Sequence, residues 1–191
     1  MNSKIKKIEK EQETLKPYSM ITDFVSGQEI PNIGAEENRQ AVAQYLVNEK
    51  GYSKDDIEVD VKIEMVIGGE NYCSRVDLVV NKPEDNQRIM AIKCAAGSLG
   101  SREREIIAAA RLLDDYQIPF AVVSDGKTAI LLDTVSGKKT GAGMAAIPSK
   151  EKVTRMLESY QPVRLAADRL EREKLIFRTY DSENVNVQRN V

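Results

Sequence analysis

The chain has 191 residues with 41% hydrophobic content, enough for one domain with appendages and a real apolar core, as in an ordinary soluble globular protein. Charged residues make up 30% and nearly cancel to a formal net charge of −2, so no global basic field points to a polyanion and any such site must be a local patch. Histidine is absent, which excludes histidine-based nucleophile triads and the usual histidine metal sites, leaving carboxylates, lysine and hydroxyls for chemistry.

The opening MNSKIKKIEKEQETLK is charged throughout and has no signal-peptide pattern, and no apolar run reaches membrane-spanning length, so the expected location is cytoplasmic, with no membrane partner. Lys4 to Lys16 reads as a helix-permissive arm, followed by a loop containing Gly27, Pro31 and Gly34. From Ala35 to Lys50, Val42, Tyr45 and Leu46 fall on one side and Gly51 supplies a stop, which predicts an amphipathic helix. Ile57 to Ile67 alternates apolar and polar residues as a half-buried strand does, and GGEN turns the chain. Arg75 to Val80 and Arg88 to Cys94 are two further strands joined by NKPEDNQ, completing an antiparallel meander. Cys73 and Cys94 lie in these strands without metal-type spacing, which predicts reduced, buried thiols.

Ser101 is the expected N-cap of a second helix over REREIIAAARLLDDY. FAVVS and TAILLD are short strands around a DGK turn, and VSGKKTGAG reads as a loop. Ser149 to Tyr160 and Val163 to Phe177 are helical patterns broken at Pro162, and the polar tail from Asp181 is expected to pack poorly. Met156, Leu157, Leu165 and Leu170 would pack these helices on the domain or form the seam of a homodimer, with packing the default. The order predicts a mixed α/β fold: a central mixed sheet flanked by helices. The expected organisation is an arm over 1–33, a core domain over 34–148, C-terminal helices over 149–178 and a polar tail over 179–191.

A turn symmetric about Glu84 would set Asp77 opposite Ala91 and Lys93 opposite Arg75. Asp77, Ala91 and Lys93 then share one face, while Val76, Leu78, Val80, Met90, Ile92 and Cys94 form an apolar face for the core. An acid and a lysine within cross-strand reach suggest a metal-and-phosphate site, the carboxylate binding Mg²⁺ and the lysine serving the attacking water or the developing charge. The other reading of the pair is a plain cross-strand salt bridge.

These residues resemble the PD-(D/E)XK nuclease superfamily and, within it, the N-terminal domain of type I restriction enzyme R (endonuclease) subunits. The resemblance rests on GAEENRQAVAQYLVNEKGY, RVDLVV, IMAIKC, REREIIAAARLL and IPFAVVSDGKTAILLDTVSGK, in that order. It implies a restriction-endonuclease-like core, DNA and other restriction-system subunits as partners, and Mg²⁺-dependent cleavage of DNA phosphodiesters. By position it puts the metal-binding acid on Asp77, the catalytic lysine on Lys93 and the acid of the first helix on Glu36 or Glu37. Glu36 is preferred because it stands three before Arg39. The sequence departs from the pattern at Ala91, where an acidic residue is expected. That position is an engineered change, the mark of a lineage that no longer cleaves, or a loss made good by Glu103 or Glu105 from the following helix. A catalytically silent module that binds DNA or a protein partner through the same fold is the alternative function.

CAAGSLGSRERE gathers Ser98, Ser101, Arg102 and Arg104 at a helix start, where they would grip a DNA backbone or simply form a solvated loop and cap. Lys138 and Lys139 admit the same two readings. AVVSDGKT loosely fits a phosphate loop, but TAILLD after it reads as a strand where such a loop needs a helix.

Overall fold

The computed structural model describes residues 18–82, 87–158 and 160–181. The Lys4–Lys16 arm, the centre of the NKPEDNQ turn and the tail after Asp181 lie outside the described residues. In chain order the elements are β1 (Met20–Thr22), β2 (Glu29–Pro31), α1 (Glu36–Asn48), β3 (Ile57–Ile67), β4 (Glu70–Asn81), β5 (Arg88–Cys94), α2 (Glu103–Leu112), β6 (Phe120–Ser124), β7 (Ala129–Asp133), β8 (Lys138–Ala142), α3 (Lys150–Leu157) and α4 (Ala167–Tyr180).

The main sheet has six strands in the order β3-β4-β5-β6-β7-β8, every neighbouring pair antiparallel except β5 and β6. That parallel pair is joined through α2, because a parallel connection needs a crossover rather than a tight turn. Helices cover both faces. Val42, Ala43 and Leu46 of α1 and Val153 and Leu157 of α3 pack with Leu78, Val80, Met90 and Ile92 in one apolar cluster. Ile106, Ala108, Ala109 and Ala110 of α2 and Phe177 of α4 pack with Val79, Ala91, Ala121 and Val123 in another. Phe177 is 2% exposed, and burying such a ring contributes about 2–3 kcal/mol. Tyr72 meets it edge-on, with ring centroids 6.2 Å apart.

Several expectations are corrected by this arrangement. The stretch around Gly27 and Pro31 is no plain loop: β1 and β2 pair as a hairpin, because the Asp23 carboxylate accepts from the Ser26 amide and closes the turn. Ser101 does not cap α2; a 3₁₀ turn over Leu99–Arg102 precedes the helix, and the Ser101 hydroxyl donates instead to the Ser98 carbonyl at 2.7 Å. VSGKKTGAG forms the edge strand β8, paired with β7. The second strand starts at Glu70 because Gly68 and Gly69, both at positive φ, make a tight hairpin turn that lets pairing begin at once. The last helix starts at Ala167 rather than Val163. Asp181 is buried, accepting from the Tyr72 hydroxyl at 2.6 Å, so packing extends to that residue. Cys73 is exposed; Cys94 is buried, and both are free thiols. Leu157 packs inward as expected, whereas Met156 and Leu170 are exposed.

The β4–β5 register also differs: Val79 faces Ala91 and Leu78 faces Ile92, so Asp77 does not lie opposite Ala91. The expected pairing is off by two residues, with a bulge between Val80 and Asn81 absorbing part of the turn. A two-residue slip preserves parity, so Asp77 and Lys93 still project to one side.

Val76 departs from the apolar face assigned to it. Leu78 and Val80 join the first cluster, while Val76 and Tyr72 join the second; on β3, Ile57 and Val59 join the first, and Val61 and Ile63 the second. The change falls at Asp60 and Asp77, where the β3–β4 ladder skips a pair. Asp60 has φ of 51°, the sole positive value at a non-glycine among the described residues. An L-residue there is strained by about 1–2 kcal/mol, and aspartate is one of the few types that tolerate it.

Candidate active site

A cleft of about 280 Å³ opens where the start of α1 meets the middle of β4, the end of β5 and the turn before α2. Glu36, Arg39, Asp60, Asp77, Lys93 and Arg102 are its charged lining. The strand crossing at Asp60 and Asp77 turns both carboxylates into it, which explains a polar residue in the middle of each strand.

Asp77 is held from two directions. One carboxylate oxygen accepts from the Cys94 amide at 2.6 Å, and the other lies 3.3 Å from the Lys93 ammonium. Burial holds the Asp77 carboxyl above the usual aspartate range, against the pull of Lys93 and the Cys94 amide. Lys93 is 8% exposed and sits 3.3 Å from an oxygen of Asp77 and 3.3 Å from an oxygen of Glu105. Burial alone would lower the lysine pKa, but these two carboxylates outweigh it and hold it above the ordinary lysine range. Lys93 is therefore an ammonium at neutral pH.

Glu105 reaches this point from the first turn of α2, where it is 3% exposed and also lies 3.4 Å from the Arg102 guanidinium. Neither acid of that turn lines the cleft itself: Glu105 lies behind it against Lys93 and Arg102, whereas a carboxylate oxygen of Glu103 lies near the Gly100 turn. The first helix separates its two acids by the cleft. Glu36 lines the cleft, while exposed Glu37 accepts from the Asn32 side chain at 2.9 Å.

Glu36 is fixed by a network that sequence reasoning missed. Arg39 donates to it through Nε at 3.1 Å and Nη2 at 2.8 Å, and the Gln40 amide donates at 2.6 Å. Behind them, Asp23 of the β1–β2 turn accepts from Gln40 at 2.9 Å and pairs with Arg39 Nη2 at 2.9 Å. Burial would raise the Asp23 pKa, but bonds from Gln40 and Ser26 and the charge of Arg39 hold it below the usual range. Arg39 Nη1 is buried without a hydrogen-bond partner. The signal available in sequence was Arg39 three residues after Glu36; Asp23 and Asp60 carried none.

Ala91 is 0% exposed and packs among Val79, Ala108 and Ala121 under α2. Its side chain does not reach the cleft. Of the residues expected at a phosphate backbone, Arg102 lines the cleft, whereas Arg104 turns to the Tyr180 hydroxyl at 2.6 Å. Ser98 and Ser101 are exposed in the turn that precedes both arginines. The AVVSDGKT segment is a β6–β7 hairpin with no helix after it, and Gly126 presses its turn onto α1.

The family model of the type I restriction enzyme R protein N terminus (HSDR_N) matches residues 34–148, from just before α1 to beyond β8. The chain belongs to this family. No curated protein and no solved structure matches the chain. The matched segment contains Glu36, Asp77, Lys93 and Glu105, while Asp23, which braces Arg39, lies outside it. α3 and α4 also lie outside the match, yet Val153, Leu157 and Phe177 are parts of the same two cores.

Proposed function

We propose that the chain carries a Mg²⁺-dependent phosphodiesterase centre acting on DNA, on the plan of the PD-(D/E)XK nucleases, and that Glu105 takes the part of the acid missing at position 91. The observation that carries this reading is the position of Lys93 Nζ, 3.3 Å from both Asp77 and Glu105. Two carboxylates that share one ammonium are separated by no more than twice that distance. Mg²⁺ is typically held by one or two protein carboxylates and completes its shell with water and substrate phosphate. Among the described residues no group of three carboxylates or thiols is gathered for a metal; Asp77 and Glu105, both beside Lys93, are the pair that would hold the ion. When bound, the ion would polarise the phosphodiester and make water a better nucleophile.

The protein groups divide the remaining work. Lys93, set between Asp77 and Glu105, stabilises negative charge developing on the phosphate oxygens. Glu36, locked by Arg39 and Gln40 at the cleft, would serve as a fixed acceptor for a water proton. Arg102, partly exposed at the cleft, complements a phosphate entering it. The unit that performs this would be residues 34–148 braced by the β1–β2 hairpin, working with other restriction-system subunits.

A second reading is a silent DNA-binding module, favoured by the sealed position of Ala91 and the internal pairing of both acids with Lys93 and Arg102. Conversion of supercoiled plasmid to nicked circles by the full chain with Mg²⁺ decides between them. The nuclease reading expects nicking that Asp77→Asn and Lys93→Ala each reduce by about two orders of magnitude or more. Retained DNA binding with no Mg²⁺- or Mn²⁺-dependent nicking selects the silent module.

A further inference from the structure

Between α2, α4 and the β7–β8 turn lies a groove of about 560 Å³, and its charge is opposite in sign to that of the chain as a whole. Arg104, Arg111, Arg169 and Arg172 line it, with Glu173 as the sole carboxylate. Arg111 and Glu173 neutralise one another at 2.7 Å, and Arg111 also donates to the Thr134 carbonyl at 2.9 Å, so they form a fixed floor. The other three guanidiniums stand around that floor. Arg104 lies over the Tyr180 ring at 5.2 Å, which leaves part of its donor edge available. Arg169 is half exposed and 3.7 Å from Glu173, and Arg172 is exposed with no ion pair among the described residues.

We infer that this groove binds the phosphodiester backbone of a nucleic acid, as a site separate from the cleft. The inference rests on the reading of the chain as a DNA-acting protein and adds to it where the backbone is held. Arginine presents paired donors that match phosphate oxygens, and Arg169 and Arg172, three apart on one helix, lie about 5–6 Å from each other. Lys139, exposed on β8 near the Ser136–Gly137 rim and paired with Leu132 of the α2–α4 face, extends the positive surface. The first turn of α2 joins the two sites, since Arg102 lines the cleft and Arg104 the groove. A strand held in the groove would thus lead toward Lys93. The α4 wall lies outside the family match, whereas the α2 and β7–β8 walls lie within it.

Fluorescence anisotropy of a labelled DNA duplex, titrated with the full chain over a range of salt, tests this. The Arg169→Ala/Arg172→Ala double variant should bind about tenfold or more weakly, and its salt slope should fall by about 0.9 for each phosphate that the arginines no longer neutralise. Arg169→Lys/Arg172→Lys should recover most of the slope, and circular dichroism should show both variants folded. Unchanged affinity and slope in the alanine variant would overturn the inference. So would a poly-glutamate peptide of equal charge that binds more tightly than the duplex, because the groove would then take an acidic protein segment. Loss of nicking in Asp77→Asn with duplex binding intact leaves the groove standing; a chain that never nicks but shows the slope change overturns only the nuclease reading.

Discussion

Replacing Lys93 with methionine keeps the aliphatic stem and removes the charge. Lys93 is the shared counter-ion of Asp77 and Glu105, with side chains 20% and 4% exposed, so the variant leaves two poorly solvated carboxylates without it. Removing one partner of a buried ion pair costs about 3–5 kcal/mol, and the partial exposure of Asp77 and the proximity of Arg102 to Glu105 argue for the lower end, about 3 kcal/mol at pH 8. For a chain of this size that is a fall of about 6–12 °C in the melting temperature. The pH dependence follows from sign. Burial already holds Asp77 above its unfolded pKa, and loss of the ammonium drives it further up. A carboxyl whose folded pKa is raised favours the native state while protonated and loses that contribution as pH rises through the folded value. The destabilisation of Lys93→Met should therefore be large at pH 8 and much smaller near pH 4.5, which paired thermal melts by circular dichroism measure directly. An equal loss at both values, or none at pH 8, would refute the picture of Lys93 as the neutralising centre of the site.

Ala91→Glu should not rebuild a ligand by itself: the position is fully buried under α2, so an added carboxylate destabilises by about 2–4 kcal/mol, read as a lower urea midpoint, and a wild-type midpoint would show that the side chain escapes to the cleft. Asp23 has a lowered folded pKa, so its contribution is present above the unfolded value and lost as pH falls through the folded one; Asp23→Asn should flatten the acid limb of a pH–stability curve, and an unchanged limb would remove Asp23 from the bracing network. Gly126→Ala places a methyl 2.9 Å from the Ala41 side chain at a φ of +81°, and should cost more than about 1 kcal/mol in melting stability. It should also disturb Asn38, which holds the cleft wall by donating to the Ala95 carbonyl at 2.7 Å.

What the sequence yields about the site depends on which physical rule carries each residue. Strand parity places Asp77 and Lys93 on one side because side chains alternate, and a register off by two residues leaves that intact. The register itself turns on a long connection and the Val80–Asn81 bulge, neither of which alternation encodes. Helical phase leaves Glu36 and Glu37 equivalent; Asn32 and the Arg39–Gln40 pair separate them through tertiary contacts. Glu103 and Glu105 likewise differ by which one α2 turns toward Lys93 once it packs on the sheet. Asp60 reads as an ordinary polar position in an alternating strand, and its role at the strand crossing exists only in the folded pair. The β1–β2 hairpin was hidden because three-residue strands give alternation too little length to register.

Single-turnover nicking of supercoiled plasmid by Glu105→Gln, set beside Asp77→Asn at saturating Mg²⁺, bears most directly on the site. If Glu105 works as the second acid, the two variants lose rate by similar factors, about two orders of magnitude, while each retains duplex binding. Wild-type nicking by Glu105→Gln would mean that the glutamate beside Lys93 is a structural counter-ion and that the centre is assembled from other groups.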